Sequence, residues 1–173
     1  MSGICGIVNV DGAPVAPDLL RKLTAFMAFR GPDGQETWID GAAGLGHTLL
    51  RTSPESEHEH HPASLDGTVW ITADARIDGQ EQLKQEITSR DPDPGRRINA
   101  KTTDAELILH AYRVWGTDCP RHLIGDFAFA IWDGRSKRLL CARDHFGVKP
   151  FFYARVGQAL IFSNTLDCVR RHP

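Results

Sequence analysis

Gly125-Asp126-Phe127-Ala128-Phe129-Ala130-Ile131-Trp132-Asp133-Gly134 is the stretch on which the reading of this chain turns. Every residue from Phe127 to Trp132 is apolar, and the run closes on the turn pair Asp133-Gly134. So short an apolar run, bounded by turn residues and lacking polar alternation, predicts a strand buried on both faces. Downstream, residues 138–143, 151–156 and 159–162 repeat the strand signal, the last two separated by Gly157-Gln158. The aromatics Phe127, Phe129, Phe151 and Phe152 read most simply as core. Upstream, residues 4–10 form a β-branched run ending at Asp11-Gly12. Residues 35–39 and 42–50 flank Asp40-Gly41, a hairpin signal, and residues 68–72 are β-branched enough for a buried strand.

Between these ends lie helical signals. Pro17-Asp18 opens a helix with Leu19, Leu23, Phe26 and Met27 on one face. Arg30-Gly31-Pro32-Asp33-Gly34 stops it, because a proline disfavours helical dihedrals in the residue before it. Residues 80–87 carry Leu83 and Ile87 four apart, and Asp91-Pro92-Asp93-Pro94-Gly95 breaks the pattern. Thr103-Asp104-Ala105-Glu106 has capping-box spacing and leads into Leu107, Ile108, Ala111 and Trp115. Strands at both ends with helices between predict an α+β fold: antiparallel sheets packed on one another, helices outside.

The 173 residues suit one domain, and a net charge of −2 gives no electrostatic pull toward nucleic acid or an anionic membrane. No run approaches the ~20 apolar residues of a membrane span, and the first residues lack a secretory pattern. Cys5, Cys119, Cys141 and Cys168 are scattered, without zinc-ligand spacing, so they read as reduced thiols of a cytoplasmic protein. Glu57-His58-Glu59-His60-His61 reads as a solvated polar loop rather than a metal site, and no metal is expected. Arg143-Asp144-His145 has no serine in any triad motif beside it.

Cys5-Gly6-Ile7, Arg30-Gly31-Pro32-Asp33, Gly44-Leu45-Gly46-His47 and Asp104-Ala105-Glu106-Leu107 stand in the order used by class II glutamine amidotransferases. The block 125–133, with Ala142-Arg143-Asp144 and Gly147-Val148-Lys149-Pro150, resembles the asparagine synthetase family in particular. The resemblance covers nearly the whole of residues 1–173. It implies the four-layer αββα sandwich of N-terminal-nucleophile hydrolases and no cofactor in this domain. It also implies a glutaminase chemistry in which the family's chain begins at a cysteine. That thiol attacks the glutamine amide while its own α-amine serves as base. Ammonia then passes to an ATP-dependent synthetase domain or subunit, the expected partner; no Ser-Gly-Gly-type ATP-binding loop occurs in these residues. A homodimer is a further association open to such a chain.

Carried onto this sequence, the resemblance makes Cys5 the catalytic residue only if residues 1–4 are removed. Where active relatives carry Asn-Gly-Glu, alignment on Val69-Trp70-Ile71-Thr72 puts Ala73-Asp74-Ala75. Ala73 then lacks the side-chain donor of the oxyanion hole, and loss of one donor lowers the rate about 10²- to 10³-fold. The family's arginine position is Leu49, with Arg51 two residues beyond. Asp104 matches the ammonium-binding carboxylate, and is equally an acidic residue favoured in a helix's first turn. Asp74, Arg51 and Asp104 are thus the candidate oxyanion and substrate residues. Arg30, Gly31, Pro32, Asp33, Gly46 and His47 are expected to shape the pocket. Three functions stay open: a degenerate glutaminase serving as scaffold for an amide-forming domain, an active glutaminase matured at Cys5, and a stand-alone amino-acid or peptide-binding module.

Overall fold

The computed structural model describes residues 1–51, 59–91 and 98–173, so His58 of the polar loop and most of the 91–95 breaker lie outside the described residues. In chain order the elements are β1 (Gly3–Asn9), α1 (Pro17–Phe26), β2 (Gly34–Asp40), β3 (Ala43–Leu49), β4 (Ala63–Ser64), β5 (Val69–Asp78), α2 (Gln80–Arg90) and α3 (Asp104–Trp115). Then come β6 (Ile124–Asp133), β7 (Arg138–Arg143), β8 (Phe152–Val156), β9 (Ala159–Ser163) and α4 (Leu166–Val169). Short 3-10 turns extend α1 over Met27–Phe29 and α3 over Gly116–His122.

The described strands make two antiparallel sheets, one ordered β2-β3-β1-β9-β8 and the other β4-β5-β6-β7. Their facing sides interdigitate through Val8, Ala43, Leu45, Ala130, Trp132 and Phe162. The outer face of the first sheet is covered by α1 and α4, through Leu20, Leu23, Ile161 and Val169. The outer face of the second carries α2 and α3, through Ile71, Ile87, Ile108 and Phe129. This is the αββα order of layers. It explains why 127–132 shows no polar alternation: β6 is the second sheet's central partner of β5 and β7, and Phe127 to Trp132 are all buried.

Local details differ from the sequence reading for physical reasons. The hairpin pairs Asp40 with Ala43, so its two-residue turn is Gly41-Ala42 and not Asp40-Gly41. Strand β5 runs on from Thr72 to Asp78, because β6 offers a pairing partner at every position down to Ile124. On α1 the buried stripe is Leu20, Leu23 and Thr24, continued by Met27, while Leu19 and Phe26 lie at its margin. The capping box forms as spaced: Thr103 N donates to Glu106 Oε2 at 2.9 Å and Glu106 N donates to Thr103 Oγ1 at 3.3 Å. Phe152, read as core from its aromatic character, instead sits on the exposed edge strand β8.

Candidate active site

Strand parity decides which residues of β1 reach which layer. Cys5 and Ile7 project to the helix side and pack under α1 with Leu20, Leu23 and Cys168, whereas Val8 projects between the sheets. Counting back by twos from Val8 leads to Ile4 and Ser2. Ser2 lines a cleft of about 690 Å³, together with Met1, Ala73, Asp74, Gln80, Asp104 and Lys149. Cys5 is not among the lining residues. Its thiol lies 3.5 Å from Thr24 Oγ1 and is 1% exposed. The thiol's pKa is raised well above its ordinary value, by its hydrogen bond to Cys168 and by burial. A thiol so placed is a packed apolar group rather than a ready thiolate.

Ser2 is held at two points. Its Oγ accepts Leu50 N–H at 3.1 Å, and its carbonyl accepts Asn164 Nδ2 at 2.8 Å. Asn164 also accepts Ile4 N–H at 3.1 Å and lies 3.5 Å from Asp74 Oδ2, so one buried amide ties the chain's start to the cleft floor.

On β5, Ile71, Ala73 and Ile77 pack beneath α3, with Ala73 and Ile77 also bordering the cleft, while the period of two turns Asp74 to the other face, where its side chain lines the cleft. The side chain offered to the cleft is therefore the carboxylate of Asp74, one residue beyond Ala73. Lys149 Nζ meets it at 3.1 Å, with both side chains largely buried. The lysine is aimed by the loop joining β7 to β8. There Asp144, itself buried, accepts the N–H groups of Val148 at 2.9 Å and Lys149 at 2.8 Å. Burial opposes ionisation of Asp144, but backbone hydrogen bonding with Lys149, Val148, Gly147 and Phe127 outweighs it and holds the carboxyl below its usual range.

The opposite wall is acidic. Asp104 opens α3 and accepts Gln80 Nε2 at 2.8 Å; burial pushes its pKa up, against the lowering effect of bonds from Ile77 and Gln80. Glu59 is also raised, first by burial and then by the charges of Asp104, Asp74 and Glu106. Carboxylates crowded in this way favour a cationic guest such as an ammonium group.

The remaining candidates lie away from the cleft lining. Arg51 is exposed, and its backbone N–H donates to Asp33 Oδ2 at 2.8 Å. Asp33 N–H in turn donates to Leu49 O at 3.0 Å, and Arg30 Nε donates to Thr165 Oγ1 at 2.7 Å. Gly31 passes so near β3 that a Cβ there would lie 2.2 Å from Thr48 O. Arg30-Gly31-Pro32-Asp33 thus clasps the end of β3. Gly46 faces α1, where a Cβ would meet Thr24 Oγ1 at 2.1 Å and Cys5 Sγ at 2.8 Å. His47 is buried between the sheets, its Nδ1 3.2 Å from Thr72 Oγ1 and its ring stacked on His61 at 4.0 Å. Burial lowers both imidazole pKa values, that of His61 to about 4.

Sequence reasoning missed Ser2, Lys149, Asn164 and Glu59 as residues of the cleft and its floor. Ser2 directly precedes β1, which is buried on both faces and so carries no alternation to mark it; for Lys149 and Asn164, distant in sequence from β5, only the folded sheet order brings them in. Among the described residues no cluster of three or more His, Cys, Asp or Glu side chains is arranged to hold a metal ion. No described helix is long and apolar enough to cross a membrane.

A family model described as "Glutamine amidotransferase domain" matches residues 1–173. Asparagine synthetase [glutamine-hydrolyzing] 3 of Bacillus subtilis is 32% identical over 176 residues, covering 100% of this chain and 28% of the relative. A putative asparagine synthetase [glutamine-hydrolyzing] 2 of Methanocaldococcus jannaschii is 33% identical over 178 residues, covering 96% of this chain and 34% of the relative. The chain thus spans about a third or less of the length of these curated relatives. Among solved structures, the glutamine phosphoribosylpyrophosphate amidotransferase of B. subtilis complexed with ADP and GMP superposes with a TM-score of 0.68 at 17% identity. That match covers 96% of this chain and 42% of the other. At such identity the likeness establishes the fold, the αββα sandwich of N-terminal-nucleophile type. Full-length agreement with the family model, with relatives of one kind across the whole chain, leads to one conclusion: this chain belongs to the glutamine amidotransferase domain family, in the class II form of the asparagine synthetase family.

Proposed function

We propose that this chain is a degenerate glutaminase domain, which has lost thiol-dependent glutamine hydrolysis and serves as scaffold for an ATP-dependent amide-forming domain. The observation that carries the reading is the exchange of positions at β1. Cys5 is packed under α1 with its pKa raised, and the residue presented to the cleft is Ser2. The neighbouring carboxylate supports it: Asp74, ion-paired with Lys149, adds an acceptor where an oxyanion needs donors. The relatives' printed names, glutamine-hydrolysing asparagine synthetases, suggest the reaction served by the partner domain.

The test is a glutaminase assay on protein purified from its native host, with intact mass measured on the same sample. Ammonia release at or below the background of a Ser2→Ala, Cys5→Ala double variant is expected. Turnover that disappears with Cys5→Ala alone would overturn the reading.

The placement of Ser2 favours a second reading. Loss of Met1 would give Ser2 a free α-amine beside its hydroxyl, a nucleophile and base in one residue. In that case a mass beginning at Ser2 accompanies slow glutamine hydrolysis that survives Cys5→Ala and is lost in Ser2→Ala.

A further inference from the structure

Six consecutive residues of β5, Ala73 to Asp78, line the cleft. Alternate residues of a strand face opposite sides of its sheet, so a cleft that touches all six runs along the strand's edge rather than over one face. On that edge β4 pairs only with Trp70 and Ile71, and among the described residues no strand continues beyond it. The edge of β5 from Ala73 onward is therefore without a partner strand, inside a cavity of about 690 Å³.

Sheet register identifies the groups that this edge presents. Asp144 N–H donates to Phe127 O at 2.7 Å, so the backbone of Phe127 turns toward β7 and away from its partner on β5, Ala75. Ala75 then turns its own N–H and C=O away from β6, and so do Ala73 and Ile77, two residues to either side. The bond from Ile77 N–H to the Asp104 carboxylate, on the cleft side, has the same parity. It also closes the open run, which leaves the donors and acceptors of Ala73 and Ala75 facing the cleft. An open edge of this kind is a template for an added strand, and main-chain bonds supply the affinity.

We propose that the cleft binds a short peptide as an added antiparallel strand along Ala75 and Ala73, with the peptide's free amino group at the carboxylates of Glu59 and Asp104. Length and charge select this occupant. The edge from Ala73 to Asp78 is about 17 Å long, the span of about five extended residues and well beyond a single amino acid. Glu59 lies under the combined negative charge of Asp104, Asp74 and Glu106, so the wall beside Asp104 calls for a cation. Because Asp104 closes the run at Ile77, a peptide that starts there extends toward Ala73, opposite in direction to β5. Its later residues approach Asp74 and Lys149. The proposal goes beyond the function proposed above and does not depend on it, since main-chain pairing needs no nucleophile.

The experiment is amide hydrogen exchange, followed by NMR, on the chain with a millimolar mixture of pentapeptide amides whose side chains are randomised. The comparison probes are the same mixture N-acetylated, the same mixture N-methylated along its backbone, and free glutamine. The free-amine mixture is expected to slow exchange of the Ala73 and Ala75 amides at least tenfold. Acetylation should weaken the apparent affinity at least tenfold, and N-methylated peptides and glutamine should give no protection. Ala75→Pro removes an N–H that β6 does not use and should abolish the protection of Ala73, while the N-methylated arm makes the same test with the protein unaltered. No protection by the free-amine mixture, or equal protection by glutamine, would overturn the proposal. Equal protection by the acetylated mixture would overturn it too, since the carboxylates would then select nothing. Ammonia release in the glutamine sample tests the other reading separately: turnover that depends on Cys5 would overturn the degenerate glutaminase and leave strand addition standing.

Discussion

Lowering the pH from 7 to 5 should weaken the fold through His61. Its ring is buried between the sheets, stacked on His47, and burial holds its pKa at about 4 against an ordinary value of 6.5. Between those values the unfolded chain binds a proton that the folded chain refuses, so stability falls as pH falls through the window. Each pH step of one between the two values costs about 1.4 kcal/mol. The full loss below pH 4 is therefore about 3 kcal/mol, and the part falling between pH 7 and 5 is about 2 kcal/mol. His47, lowered by burial and by the neighbouring imidazole, adds in the same direction. Asp66, Asp133 and Asp144 have lowered pKa values, so their stabilisation is lost only at more acid pH, below the window. Glu59 and Asp104, both raised, bind protons first in the folded state and offset part of the loss. The comparison that isolates the imidazole is His61→Phe, which keeps a stacking ring and cannot titrate. Urea unfolding followed by tryptophan fluorescence at pH 7, 6 and 5 should show the wild type losing about 2 kcal/mol more than the variant. Equal losses in the two proteins would refute the reasoning.

Lys149→Met leaves the Asp74 carboxylate buried without its cation and should cost about 3–5 kcal/mol. Adding Asp74→Asn should recover most of that in a double-mutant cycle by chemical denaturation; additive losses would show the two groups are uncoupled. Thr103→Ala removes one half of the α3 capping box and should lower stability by about 1 kcal/mol, read as a fall in melting temperature. Gly46→Ala drives a methyl into Thr24 Oγ1 and Cys5 Sγ, costing about 1–3 kcal/mol. Thr24→Ala in the same chain should relieve part of it, and no relief would place the strain elsewhere.

Much of the fold was legible because the sandwich buries β6 from both sides, which leaves an unbroken apolar run that nothing but a central strand explains. The helix α3 was legible for a different reason: its capping box is a local bond pattern, written within four consecutive residues. Strand β5 was half legible. Its second part, Ala73-Asp74-Ala75-Arg76, has no β-branched residue, and pairing with β6 imposes the strand where propensity does not. The cleft was the least legible part. Asp74 and Asp104 line it, whereas Cys5 stands one layer away. A one-residue change of parity moves a side chain to the other face of a sheet, and motif spacing carries no parity until the strand's apolar face is identified. Lys149 and Asn164 reach the cleft only through the order β1-β9-β8, a long-range pairing that local patterns do not encode.

The clamp on Ser2 has a practical side. Leu50 and Asn164 fix the second residue of the chain in the cleft lining, and Met1 lines the cleft beside it. A purification tag fused ahead of Met1 would occupy the very space where a small guest is to be detected, and a blank result from such a fusion would report on the tag. The same geometry separates two evolutionary regimes. A domain whose chemistry needs a free first residue must have any upstream fusion cleaved off, whereas one that has given up that chemistry can keep it.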